Sequence, residues 1–168
     1  HEREEDEEEN DEHAGHVPYL RIIDGKTYEI VNSVPMAKMA AHVVPSKQGD
    51  KVYVSREGGS TIVEIDITTA KILRTFSSGE GPHGFVLSND GTKLYVPNMR
   101  SNDVSIIDVT TGTEERLKIE HEGQTCETPV AMGITADDRY SFVTCGKSFD
   151  MFKIDNANKQ IIGRVAFP

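Results

Sequence analysis

Four copies of one strand-and-turn pattern run through this chain, and that repetition restricts the architecture before any single residue is weighed. The clearest copy reads Gly81-Pro82-His83-Gly84, an apolar strand Phe85-Val86-Leu87, a turn Ser88-Asn89-Asp90-Gly91-Thr92 and a strand Lys93-Leu94-Tyr95-Val96. It continues through Pro97-Asn98 to a strand Asp103-Val104-Ser105-Ile106-Ile107-Asp108, a turn Thr110-Thr111-Gly112 and a last strand ending near Ile119. Asp24, Asp66, Asp108 and Asp155 hold the copies in register at spacings of 42, 42 and 47, and Tyr53, Tyr95 and Phe142 repeat the offsets of 42 and 47. A period of about 40–45 residues carrying four short strands predicts an all-β fold of β-propeller blades, each a four-stranded antiparallel sheet.

Each part of the repeat has a local cause. Alternation in Val52-Tyr53-Val54, Ile62-Val63-Glu64-Ile65 and Val104-Ser105-Ile106 turns one side of each strand toward a neighbouring sheet. Ser88-Asn89-Asp90-Gly91 is a hairpin signal, with Gly91 free to take positive φ, and Ser46-Lys47-Gln48-Gly49 and Thr135-Ala136-Asp137-Asp138 are its counterparts. The four register Asp residues each precede a turn rich in Thr, Gly or Asn. Their carboxylates are therefore expected to accept backbone N–H bonds, a structural role.

Lys93-Leu94-Tyr95-Val96-Pro97-Asn98 resembles the YVTN motif of bacterial and archaeal propellers, with Pro97 where that motif has Thr. Lys51-Val52-Tyr53-Val54-Ser55 and Ser141-Phe142-Val143-Thr144-Cys145 are looser copies, so the resemblance covers residues 17–168. Proteins of this kind include surface-layer proteins, the haem d1 domain of a nitrite reductase, amine dehydrogenase heavy chains and nitrous oxide reductase. The resemblance implies a propeller, and its breadth means that fold alone does not name the function.

The copies are unequal. Residues 37–79, 80–126 and 127–168 each supply four strands, whereas residues 17–36 supply two, Tyr19-Leu20-Arg21-Ile22-Ile23-Asp24 and Thr27-Tyr28-Glu29-Ile30-Val31 across the Gly25-Lys26 turn. These two match the outer strands of a blade. Closed propellers have about 4–8 blades and leave no open face, so three and a half blades are expected to be completed by missing sequence or by another chain, a second copy included.

The net charge of −10 is concentrated at one end: residues 1–16 hold nine acids and one Arg, and the remaining 19 acids and 17 bases nearly cancel. Residues 1–16 read by composition as a disordered acidic tail whose role is to solvate or space, to dock on a basic partner, or to bind cations loosely. Its carboxylates suit Ca²⁺, and His1, His13 and His16 suit Cu²⁺, Ni²⁺ or Zn²⁺. A near-neutral body lacks the basic footprint of a nucleic-acid binder. No apolar run approaches the ~20 residues of a transmembrane helix. The first residue is His, which is expected if a secretory signal has been removed.

Chemistry-bearing residues are sparse. Cys126 and Cys145 fall in connections on one propeller face, where the alternatives are a disulfide in an oxidising compartment, two partly buried thiols, or ligation of a metal or haem. No Cys-x-x-Cys-His is present for covalent haem attachment. His83 opens an inner strand and is expected at the channel mouth; its repeat counterparts are Ala41 and Val130, with His42 one step out of register. With His121 on the same face it is a candidate metal or cofactor ligand, set against a plain hydrogen-bonding loop histidine. Arg56, Arg100 and Lys147 occupy loops of that face and suit an anion or an acidic partner. No Gly-x-Ser-x-Gly, Walker loop or His-Glu-x-x-His occurs.

The expected function is that of an exported, periplasmic or cell-surface, non-catalytic scaffold that presents loops and blade edges to protein partners. The resemblance adds a place inside a redox assembly. The alternatives are a haem- or copper-binding propeller enzyme and a surface-layer component that would use Ca²⁺.

Overall fold

Strands dominate because β-branched and aromatic residues alternate with polar ones over short runs bounded by Asp, Thr, Asn and Gly. In the computed structural model, which describes residues 17–36 and 39–168, they form β1 (Tyr19–Ile23), β2 (Ile30–Pro35), β3 (Ala40–Pro45), β4 (Lys51–Arg56), β5 (Thr61–Asp66), β6 (Lys71–Ser77), β7 (Val86–Leu87) and β8 (Lys93–Asn98). The second half holds β9 (Asp103–Asp108), β10 (Glu114–Lys118), β11 (Glu120–His121), β12 (Gln124–Thr125), β13 (Pro129–Ile134), β14 (Tyr140–Cys145), β15 (Asp150–Asp155) and β16 (Gln160–Ala166). β3–β6, β7–β10 and β13–β16 are three four-stranded antiparallel sheets, here blades 2, 3 and 4. β1 and β2 pair alone as the half-blade 1, and β11 and β12 form a small separate hairpin.

The four register Asp residues perform one local job. Oδ1 of Asp24, Asp66, Asp108 and Asp155 accepts the backbone N–H groups two and three residues on, at 2.7–3.1 Å. The N–H three residues on is the main reason that each carboxyl sits below its ordinary range.

That capping also corrects the reading of half-blade 1. The second strand does not start at Thr27 across a Gly25-Lys26 turn: Ile23 pairs with Ile30 and Tyr19 with Pro35. Asp24 closes the wider turn by holding Lys26 and Thr27, while Tyr28 takes φ of +60°. The β11–β12 hairpin is a further departure from the expected four strands per copy. Its two turn residues, Glu122 and Gly123, both have positive φ, the geometry of a type I′ turn.

The core lies in layers between blades. Val34 and Met36 pack with Val54, Val63 and Ile65 between half-blade 1 and blade 2. Tyr53, Ile62 and Phe76 of blade 2 meet Phe85, Leu94, Val96 and Ile107 with blade 3. On the other side of blade 3, Tyr95, Val104 and Ile106 meet Val143, Phe152 and Ile154 of blade 4. The buried Glu64 belongs to the second layer, where Lys51 at 3.2 Å and Arg74 at 2.6 Å neutralise it. Burial works to raise its pKa, and the hydrogen bonds from Arg74 and Lys51 outweigh that, leaving it lowered.

Two faces have no such layer. On inner strand β3, Val43 pairs with Val54 and points toward half-blade 1, which has no inner strands to meet it. Val43 is 52% exposed, whereas Phe85, its counterpart 42 residues on, is 4% exposed. At the other end, the side of blade 4 turned away from blade 3 carries an apolar groove of Ala131, Gly133, Phe142 and Met151, continued by exposed Val165 opposite Met151. No helix among the described residues is long and apolar enough to cross a membrane.

Candidate functional site

Among the described residues, two places hold candidate residues from the sequence. The larger is a cleft of about 760 Å³ where the connections of blades 3 and 4 meet. Its wall includes a disulfide between Cys126, just after β12, and Cys145 at the end of β14, with Cα atoms 5.4 Å apart. The bond ties the chain entering blade 4 to that blade's second strand. Above it, Thr128 donates its N–H to Asn102 Oδ1 at 2.8 Å, and both residues have positive φ, +57° and +55°. Asn tolerates that region; for a β-branched Thr it is a strained backbone that the cross-blade hydrogen bond helps to fix.

Arg100 and Lys147 line this cleft, and Arg56 does not; Arg56 donates to Thr61 Oγ1 within blade 2. Arg100 reaches across to blade 2, donating to Glu57 Oε1 at 3.0 Å and to its carbonyl at 2.6 Å. Lys147 pairs with Glu127 at 3.1 Å. Arg116 and Lys118 of β10 complete the set of cations, and they were missed in the sequence. The charges of Glu114-Glu115-Arg116-Leu117-Lys118 mark an exposed outer strand, and only the fold brings that strand to the cleft. Arg116 pairs with Asp103 and Lys118 with Glu120. With a carboxylate already on every cation, the cleft suits polar or zwitterionic groups that exchange one ion pair for another, and it offers little field to a bare polyanion.

Asn98, the last residue of the Tyr-Val-Pro-Asn run, braces the cleft from behind. Fully buried, it donates Nδ2 to Asp103 Oδ1 at 2.8 Å and to Ser105 Oγ at 2.9 Å. Gly79 lies against it: a Cβ at that position would stand 2.6 Å from the Asn98 amide and 2.3 Å from Arg116 Nη2. Close approach, not turn geometry, requires glycine there.

The second place is the rim of the inner strands. His83 precedes β7, and its Nδ1 lies 3.2 Å from the Val130 carbonyl at the mouth of blade 4. A carbonyl only accepts, so Nδ1 carries a proton, and in the neutral imidazole the lone pair is then on Nε2. His42 sits beside it, ring centroids 4.3 Å apart at 68°. His42 lies two residues before Val44, which packs toward blade 3, and Ser55 Oγ accepts the His42 N–H at 3.0 Å. Burial first, and then His83, hold the His42 imidazole below its ordinary pKa. His121 is elsewhere, 4.0 Å from Glu122. No three His, Cys, Asp or Glu side chains converge among the described residues; His1, His13 and His16 lie outside those residues.

Residues 20–134, more than half of the chain, match the model of a family described as lactonase, seven-bladed β-propeller. The chain belongs to this family. No curated protein matches it. Solved structures that resemble this family member include hydrazine synthase of Kuenenia stuttgartiensis, with a TM-score of 0.69 and 20% identity over 78% of this chain and 38% of that one. Dihydro-heme d1 dehydrogenase NirN, in complex with DHE, gives 0.71 and 18% over 88% of this chain and 32% of that one. A putative 6-phosphogluconolactonase of Bacteroides fragilis NCTC 9343 gives 0.59 and 22% over 77% and 39%. At these identities the likeness is one of fold, and the chain spans about a third to two fifths of each structure's length.

Proposed function

We propose that this chain is the front part of a seven-bladed, YVTN-type propeller that serves as a non-catalytic interaction scaffold, the ring being completed by further propeller strands from the same polypeptide or another chain. One observation carries the reading. The faces left open at Val43 and at Phe142, Met151 and Val165 are built like the faces buried between blades 2, 3 and 4. A seven-bladed ring supplies the missing neighbours. In that ring the cleft beside Arg100 and Lys147 meets the partner, and the acidic segment 1–16 acts as a spacer ahead of the propeller segment 17–168. The disulfide favours an oxidising compartment, periplasmic or extracellular. Kuenenia hydrazine synthase, a structural neighbour, lends weight to a place in a redox assembly.

The test is isolation of the native particle, followed by its mass and visible spectrum. The expected result is a colourless particle containing seven blades and fixed stoichiometric partners that contact the cleft loops. A haem band or redox-active copper would overturn the scaffold reading in favour of a cofactor enzyme, and a two-dimensional lattice that needs Ca²⁺ would overturn it in favour of a surface layer.

A further inference from the structure

We propose that His42 and His83 form a binding site for a divalent late-transition metal ion, zinc the fitting probe, which pins blade 2 to blade 3 at the inner rim of the propeller.

The geometry is that of two donors awaiting one acceptor. Two imidazoles that share a tetrahedral metal at about 2.0–2.1 Å hold their ring centroids about 5 Å apart, and these stand at 4.3 Å. About an ångström and a turn of one ring about χ2 separate the present edge-to-face contact from a shared ligand position.

One donor is already oriented. With its Nδ1 proton given to the Val130 carbonyl, His83 presents Nε2 as a free lone pair, the arrangement in which an outer carbonyl fixes the tautomer of a metal-bound histidine. His42 stands two residues before Val44, which packs on the layer between blades 2 and 3, so strand alternation turns both toward blade 3.

The donor chemistry selects the ion. Two neutral imidazoles suit Zn²⁺, Ni²⁺ or Cu²⁺ and offer nothing to Ca²⁺ or Mg²⁺. Two protein donors leave about two positions of a tetrahedral ion for water or for a group from outside, so the site is open. Each donor belongs to a different blade, His42 to β3 and His83 to the segment entering β7. Binding therefore cross-links two sheets, and an ion that binds the folded form alone raises its stability by mass action.

The experiment uses the full chain with His1, His13 and His16 replaced by Asn, which removes the competing imidazoles of the acidic segment, after treatment with a chelator. Calorimetric titration with Zn²⁺ is expected to show one equivalent, accompanied by a rise in the thermal midpoint. In the same background, His42→Asn and His83→Asn each weaken that equivalent at least tenfold and abolish the rise. The unsubstituted protein supplies a readout that needs no variant at the pair: Zn²⁺ protects His42 and His83, but not His121, from carbethoxylation mapped by mass spectrometry. Unchanged carbethoxylation of His42 and His83 at saturating Zn²⁺ overturns the proposal, whatever the variants do. So does an unchanged equivalent in His42→Asn. Neither result bears on ring closure or on the scaffold role.

Discussion

Blade 3 and the two ends of the chain are built from the same repeat, yet they occupy opposite environments. Blade 3 has a sheet on each side: Leu94, Val96, Val104 and Ile107 have no exposed surface. The end strands have a sheet on one side only, so β3 is largely open and Arg164, Val165 and Ala166 at the end of β16 are all exposed. The difference lies in the neighbour and not in the strand. A blade's apolar alternation is an instruction to be sandwiched, and at both ends half of that instruction is unmet.

The comparison breaks first at the covered layer. Leu94→Ala, which empties space between blades 2 and 3, is expected to lower stability by about 3 kcal/mol in a denaturant titration. A loss below about 1 kcal/mol would mean that these blades are not packed as described. Next in size is the disulfide, which closes a separation of 19 residues beside the covered blade 3–blade 4 junction. The double variant Cys126→Ser with Cys145→Ser, or reduction of the native protein, is expected to lower stability by about 3 kcal/mol or slightly less, read as a fall in thermal midpoint.

Arg74→Ala follows, at about 2 kcal/mol, because it leaves buried Glu64 with Lys51 alone. It also carries a pH signature. The carboxyl of Glu64 sits below its ordinary value of 4.5 in the folded protein. Its contribution is therefore present above that value and is lost as pH falls through the lowered one. The turn carboxylates Asp24, Asp66, Asp108 and Asp155 have the same sign from 3.8 downward. Unfolding followed against pH should show stability falling on the acid side of about 4.5, with a smaller fall in Arg74→Ala. The smallest effect belongs to the open face: Val165→Ser in the purified chain should change stability by less than about 0.5 kcal/mol.

What could be read from the residues, and what could not, follows from how far each interaction reaches. Asp108 binds N–H groups two and three positions away, so its role is written locally, and the same holds for the alternation that sends Tyr53 and Val54 to opposite layers. The turn after Asp24 defeated a local reading because Gly25-Lys26 looked like a two-residue hairpin while the carboxylate of Asp24 organised a longer one. The β11–β12 hairpin turns on Glu122-Gly123, only half of the glycine-rich signal such turns usually give. Alternation places His42 with Val44 on the blade 3 side, but its meeting with His83 is a contact between two blades that the repeat offset, which matches His83 to Ala41, does not encode. Arg116 and Lys118 enter the cleft because the outer strand of blade 3 lies beside the connection into blade 4, a proximity across the fold that spacing does not encode.

The most direct test of the central claim is hydroxyl-radical footprinting of the native particle, with exposed Tyr28 as the internal reference. If the open faces are sandwiched by further blades, Val43, Phe142, Met151 and Val165 will be protected to the degree of Phe85 while Tyr28 is freely modified. Oxidation of those four residues at rates approaching that of Tyr28 would contradict the account.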